Sequence, residues 1–239
     1  MIDSRKILLI MQILVHCCFL AGLFFVDVYW AVFSIVVCHI IFVGACGTVL
    51  FHRVIAHKNK INPLAEKILL ALSTIGISGS AIAWAGTHRM HHRFSDTPRD
   101  PHSPKTHGLL RTYWYSSGNE EIIRYVPDLL RKKDYLFQHR HYFKILLIFH
   151  TTVLLTCSFP IYWTVCIVPA FLMWFAGSMI NCFGHDSNGP ANSNILGLLF
   201  GGEGWHKNHH DNPASTQFNN KYDLGSLIYN LLEDKKVYK

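Results

Sequence analysis

The sequence predicts an all-α integral membrane protein of four transmembrane helices, paired as two hairpins. Three observations carry that prediction. Half of the 239 residues are hydrophobic and only 15% are charged, against about 25% in an ordinary soluble domain. Four apolar runs, about 7–26, 28–51, 143–163 and 164–184, each approach the roughly 20 residues a helix needs to cross about 30 Å of hydrocarbon. Lys and Arg gather at Arg5 and Lys6, over 53–60, through 86–144 and after His206, whereas the connection between the first two runs offers only Asp27 and that around Pro160 no charge.

The first run is too long for a cleavable signal peptide, and no small-residue cleavage site follows it. The second ends near His52. A fifth apolar stretch, 64–85, contains Ser73, Thr74, Gly76, Ser78, Gly79 and Ser80 and reads as a buried or interfacial helix rather than a lipid-facing span. Pro98, Pro101 and Pro104 exclude a helix through 98–104. Beyond the second hairpin, Asn188, Gly189 and Pro190 form a turn. Leu224, Leu227, Ile228, Leu231 and Leu232 share one face of a short amphipathic helix. The positive-inside bias puts both termini and the 52–142 region in the cytoplasm. Segments 52–142 and 185–239 then share one membrane face, and residues 1–239 read as one domain. The net charge of +7 is mainly a topology signal. Its basic residues are spread over several loops with no nucleic-acid motif, which argues against a nucleic-acid partner. The seven cysteines (Cys17, Cys18, Cys38, Cys46, Cys157, Cys166 and Cys182) sit in apolar segments without a CxxC pair, as small buried residues do.

Sixteen histidines are many for this length. Nine fall into clusters: His52 and His57 in HRVIAH; His88, His91 and His92 in HRMHH; His185, four residues after Asn181; and His206, His209 and His210 in HKNHH. The topology gathers all of them at one face. Positions i, i+3 and i+4 share a helix face, so each HxxHH is expected to present three imidazoles to one point, and Asn181 to share a face with His185. His52 and His57 stand about 140° apart on an ideal helix, so they suit a helix that ends or bulges there. Nine imidazoles exceed the four ligands of a structural zinc and suggest two metals; imidazole suits iron, zinc and copper. Neither HExxH nor the ExxH pairs of ferritin-like bundles occur. Of the others, His16, His39 and His150 are read as structural and His107, His139 and His141 as solvated or interfacial.

Around the boxes, Asp96, Asp100 and Glu203 are candidate acceptors for the second N–H of a metal-bound imidazole, with loop ion pairs or helix caps as the alternative. Trp84 and Trp205 read as packing around the site, with substrate contact as the second option. Arg89 and Arg93 meet an anionic headgroup or face the cytosol. Arg131, Lys132 and Lys133 are a solvated basic run or a docking patch for an acidic electron donor.

The stretches HRVIAH, HRMHHRFSDTPRDPHSP, NCFGH and GEGWHKNHHDNP together resemble the histidine boxes of the membrane fatty acid desaturases, and the first-double-bond, stearoyl-type members match best. The resemblance runs from about Gly47 to Leu232. It implies four transmembrane helices under a cytosolic helical cap, with a narrow kinked tunnel for the acyl chain. It also implies two irons held by His52, His57, His88, His91, His92, His185, His206, His209 and His210, with Asn181 acting through water. Members acting on acyl-CoA commonly read WARDHR where this chain reads WAGTHR, so Gly86 and Thr87 replace the Arg-Asp that helps hold the substrate; Trp84, Thr87 and Trp205 are the candidate substrate contacts. The WAGTHR form followed by RDPHSP resembles bacterial and plant-type members. The stretch between His185 and the third box is shorter than usual, and no HPGG haem motif occurs.

What the resemblance implies is O₂-dependent insertion of a cis double bond into a saturated acyl chain carried by CoA, a lipid or acyl-carrier protein. Electrons come from a separate donor such as a ferredoxin or a b-type cytochrome with its reductase. The implied site is multi-pass in a bacterial inner membrane, among membrane lipids, with active site and termini cytoplasmic. Zinc is the expected substitute on heterologous expression. The rival readings are hydroxylation or acetylenic bond formation at the same centre, and a non-catalytic metal-binding or metal-transporting membrane protein. The last would want ionisable ligands along a path within the spans.

Overall fold

The computed structural model describes residues 4–114, 120–219 and 221–234. It is mostly helical. Helix α1 spans Ser4–Phe25, and α2 runs over Val28–Cys38 and continues without a break as π-type turns over His39–Ala56. Asp27 explains the reversal between them: its carboxylate accepts from Tyr29 N at 3.0 Å and Trp30 N at 3.1 Å, capping α2. The single charge of that connection is thus a helix cap.

The apolar stretch 64–85 is two helices, α3 (Pro63–Ile75) and α4 (Ala81–Phe94). Asn62 and Pro63 start the first, and Ser80 caps the second. Between them, Ile77 and Gly79 take positive φ of 46° and 89°, a conformation no helix continues through. The break is held by helix α7 (Lys133–Thr156): Gln138 accepts from Ala81 N at 3.1 Å and donates to Thr74 Oγ1 at 3.1 Å, and Tyr142 OH accepts from Gly79 N at 3.1 Å. Short helices α5 (Pro104–His107) and α6 (Leu109–Tyr113) and 3-10 turns at Glu120–Tyr125 and Leu129–Arg131 fill the polar region.

The second apolar region differs from its expected bounds. Helix α7 begins ten residues earlier than 143 and ends at Thr156, so the chain turns at Cys157 and Ser158. Helix α8 (Phe159–Tyr162) starts with Pro160 in its first turn and passes through π-type turns at Trp163–Ile167 into α9 (Val168–Phe183). Proline favours a first turn, where its missing N–H costs nothing. The reversal therefore falls just before Pro160, in the uncharged connection expected around that residue, while the helix bounds differ from 143–163 and 164–184. Among the described residues, three helical segments, Arg5–Phe25, Val28–Ala56 and Phe159–Phe183, are long and apolar enough to cross a membrane. Helix α7 is long enough, but its first half carries Lys133, Asp134, Arg140 and Lys144.

Trp163 is fully buried and donates its indole N–H to Phe19 O at 3.3 Å, and Trp30 and Ser34 both reach Thr164 Oγ1 at 2.8 Å. These bonds tie α1 and α2 to the α8–α9 segment. A two-stranded ribbon, β1 (His185–Asp186) with β2 (Gly189–Pro190), makes the expected turn. Helices α10 (Asn194–Leu199), α11 (His206–Asp211) and α12 (Leu224–Leu232) complete the chain. Cys38, Cys46, Cys166 and Cys182 are buried, whereas Cys17 and Cys18 lie exposed on α1 and Cys157 exposed at the α7–α8 turn.

Candidate metal centre

Four elements deliver the nine clustered histidines. The π-type turns carry His52, and His57 follows them, its N–H donating to His52 O at 3.1 Å. That i→i+5 bond is the π pattern, and it brings two side chains five apart onto a common side, with ring centroids 5.1 Å apart. Helix α4 supplies His88, His91 and His92, α11 supplies His206, His209 and His210, and His185 opens β1. Gly184 closes α9, so His185 stands outside the helix that bears Asn181; the shared helical face expected for that pair is not formed.

The imidazoles form two groups. His52, His57, His88, His92 and His209 bring ligand atoms within 4.8 Å of one another, as do His91, His185, His206 and His210. Each HxxHH is therefore divided between two points, not aimed at one. In α4 the i and i+4 residues join the first group and the i+3 residue the second. In α11 the assignment is exchanged: His206 and His210 join the second group and His209 the first. Positions i+3 and i+4 differ by about 100° around a helix, enough to address two centres lying side by side.

Within the groups the Nε2 atoms face one another. His52 and His209 are 2.9 Å apart, His57 and His88 2.9 Å, His92 and His209 2.8 Å, and His206 lies 3.2 Å from both His185 and His210. Adjacent nitrogens about 2.0–2.1 Å from a shared ion stand about 3 Å apart. His91 Nε2 is buried with no hydrogen-bond partner among the described residues. The donor set thus fits two imidazole-loving metal ions.

Carboxylates meet the outer nitrogens. His52 Nδ1 bonds to Glu203, His91 Nδ1 to Asp100 at 2.9 Å, and His185 Nδ1 to Asp96 at 2.9 Å. An ionised carboxylate only accepts, so each Nδ1 carries the proton and each Nε2 lone pair faces inward. Burial would raise the Asp100 carboxyl, but its bond to His91 outweighs that and holds it down to about 2. Glu203 is likewise held low, burial being outweighed by His52 and Arg53. Burial, with the neighbouring imidazoles, lowers His88, His206 and His209 far below the ordinary 6.5, and His92 to about 2. These rings are neutral at physiological pH, the form that binds metal.

A cavity opens onto both groups. Val43, Phe51, Met173, Ala176, Ile180 and Phe200 give it apolar walls, while His52, His88, His91, His206 and Asn181 line its metal side. Trp84 also lines it and stacks on His88 with centroids 5.0 Å apart. Thr87 is buried on an adjoining polar branch with His102, Ser178 and Asn181. Trp205 is not among the lining residues; its indole N–H donates to Tyr222 O at 2.9 Å and its ring packs on Gly197.

Other expectations change. Arg89 faces neither headgroup nor cytosol: it forks onto Asp128 at 2.6 and 2.9 Å and donates to Ile55 O and Ala56 O, fixing α4 to the end of the π-type turns. Lys132 pairs with Glu66 at 3.0 Å. His139 bonds Ser80 at 2.6 Å and His107 bonds Asp100 O at 2.9 Å, so neither is merely solvated. His16 reaches Tyr113 OH at 2.8 Å. Sequence reasoning missed His102, whose buried ring stacks on His91 at 4.5 Å and which forms a third group of possible ligand atoms with His91 and Asp100. Its signal was present in RDPHSP, ten residues beyond His92 and outside helical periodicity. Arg53 and Asp223 were missed as well; they carried no spacing signal.

The described residues combine helices long and apolar enough to cross a membrane with two histidine groups that could hold metal ions, opening onto an apolar cavity. A family model described as fatty acid desaturase matches residues 27–220, and the chain belongs to that family. It is 31% identical over 186 residues to an sn-1 stearoyl-lipid 9-desaturase of Synechocystis, covering 70% of this chain and 57% of that protein. It is 28% identical over 195 residues to an sn-1 stearoyl-lipid 9-desaturase of Anabaena variabilis, with 76% and 72% covered. An acyl-CoA C20 Delta5-desaturase of Anemone leveillei is 29% identical over 225 residues, with 87% and 70% covered. The match to the Synechocystis protein thus spans under two-thirds of that relative's length.

Proposed function

We propose that this chain is an O₂-dependent fatty acyl desaturase that introduces a cis double bond into a saturated acyl chain. The observation carrying this reading is the pair of histidine groups, five and four imidazoles, opening onto one apolar cavity. His52, His57, His88, His92 and His209 hold one iron. His91, His185, His206 and His210 hold the other, with Asn181 acting through water. Two irons bound there would supply the oxidising chemistry: O₂, two electrons from a separate donor, two protons and two hydrogens from adjacent methylenes would leave as two waters.

The protein's own residues orient and exclude. Glu203, Asp100 and Asp96 hold His52, His91 and His185 with their inner nitrogens unprotonated. The apolar walls keep water from the acyl chain and set which methylenes lie beside the metals; methylenes being chemically alike, position alone distinguishes them. Trp84 and Thr87 are the substrate contacts nearest the metals. Thr87 and Gly86 leave no charged pair for a CoA headgroup at that point, and the two cyanobacterial relatives are named for stearoyl-lipid; both support an acyl-lipid substrate.

In the membrane, α1, α2 with its π-type extension, α7 and the α8–α9 segment make four crossings of a bacterial inner membrane. Helix α7 reaches about 36 Å at 24 residues and about 1.5 Å each, its charged first turns standing in the cap and its apolar remainder in the membrane. Residues 52–142 and 185–239 then form a cytosolic cap, with both termini cytoplasmic, and the whole chain is one domain. Supplying a perdeuterated saturated acyl chain tests the reaction. Desaturation removes two deuteriums and adds no oxygen; a product that gains oxygen instead assigns the chain to hydroxylation.

A further inference from the structure

Arg53 is fully buried beside the five-histidine group, and its neighbours come from the far end of the chain. Nη2 donates to both oxygens of Asp223, at 2.9 and 3.1 Å. Nη1 donates to Glu203 Oε1 and Thr48 O, each at 3.0 Å, and to Thr48 Oγ1, while Nε donates to Thr216 O at 2.9 Å. The guanidinium lies 3.9 Å over the Phe218 ring. Every donor direction of the fork is occupied, which a lysine with its single ammonium would not reproduce.

Two of these neighbours touch metal-site imidazoles. Glu203 accepts from Arg53 with one oxygen and from His52 Nδ1 with the other. Phe218 packs against His52 and His209, with centroids 5.5 and 4.7 Å away. Both rings belong to the five-histidine group. Asp223 anchors the far end: it accepts from Phe218 N at 2.7 Å and from Ser226 N at 2.8 Å, capping α12. Gly225 lets α12 approach, since a Cβ there would stand 2.6 Å from Arg53 Nη1.

We infer that Arg53 is a positioning residue. Through Glu203 and Phe218 it uses the C-terminal segment 216–226 to set the five-histidine group alone. This rests on the metal reading above. The mechanism is mechanical and electrostatic. Arg53 holds one carboxylate oxygen of Glu203 so that the other stays aimed at His52, and it holds the ring that limits the tilt of His52 and His209. Outer partners of metal-bound histidines typically alter metal affinity by about 10–100-fold. The expected effect has that size and falls on one group.

The test is anaerobic titration of ferrous iron into the purified full chain in detergent, with each group examined alone. In the His206→Ala chain only the five-histidine group is intact; in the His52→Ala chain only the four-histidine group. Adding Arg53→Lys to the first is expected to weaken iron binding about 10–100-fold, and adding it to the second to leave binding unchanged. A purely structural Arg53 would weaken both alike. Equal loss in both backgrounds, or no loss in either, overturns the inference. If the Arg53→Lys chain fails to reach the membrane, Asp223→Asn is read the same way, because it keeps Arg53 and removes one of its two carboxylates. An unmodified chain that binds no iron overturns the metal reading and this inference together; two irons there with no selectivity overturns this inference alone.

Discussion

His91 is fixed on one side and open on the other. Its Nδ1 is held by Asp100 at 2.9 Å, and its buried Nε2 has no hydrogen-bond partner among the described residues. Asp100 is itself held by Asp96 N at 2.8 Å and His102 N at 3.1 Å, so the carboxylate cannot follow a drifting ring. Replacing it with Asn removes the charge and lets the amide donate to Nδ1 instead, which favours the wrong tautomer. The Asp100→Asn chain is expected to lose about 10–100-fold in metal affinity at the four-histidine group, read by iron titration. Unchanged affinity would show that Asp100 is only a loop anchor. The charge pattern of the boxes made these carboxylates visible in the sequence. Arg53 stayed hidden because its partners Glu203 and Asp223 lie 150 and 170 residues away, and no local period links them.

At the scale of elements, the two HxxHH repeats matter for how they divide. A helix that offers i and i+4 to one centre turns i+3 toward a neighbouring one, so α4 and α11 together complete both groups. The repeats and their convergence were legible from sequence; the division was not, since it depends on how the two helices face each other. The π-type turns were half legible, because a five-residue interval between His52 and His57 calls for a bulge but not for its extent. Helix α4 also depends on Gly86, whose added Cβ would meet Ile122 Cβ and O at 2.9 Å. Gly86→Val should push α4 off the 3-10 turn at Glu120–Tyr125 and destabilise the chain by about 1–3 kcal/mol, the usual cost of overpacking. A thermal midpoint equal to that of the unmodified chain would contradict that contact. Gly86 thus matters for helix packing, beyond the substrate reading proposed for it and Thr87.

Across the whole molecule, burying so many neutral imidazoles couples folding to pH. The unfolded, metal-free chain takes up protons near 6.5, the ordinary His value. The folded chain resists, with His92 lowered to about 2 and His88, His206 and His209 far below 6.5. Stability is therefore full above about 6.5 and falls as pH drops toward the folded values. The thermal midpoint of the metal-stripped chain should decline between about pH 7.5 and pH 5; a flat profile would mean that the rings are hydrated rather than buried. The apolar runs and the one-sided charges made the helical architecture readable. The α7–α8 reversal was legible only as a connection around Pro160, because apolar sequence runs through it; the proline's preference for a first turn fixes it at Cys157 and Ser158. Trp205 follows the first of its two readings, packing beside the histidine box rather than lining the cavity.

The account's central claim is met most directly by one comparison. The membrane fatty acids of a host lacking its own desaturase are profiled with the chain present, with its His91→Ala variant, and without either, a competent electron donor being supplied. The account predicts a new monounsaturated acid with the unmodified chain alone, its double bond at a single position. An unchanged profile from folded chain carrying two irons would contradict it.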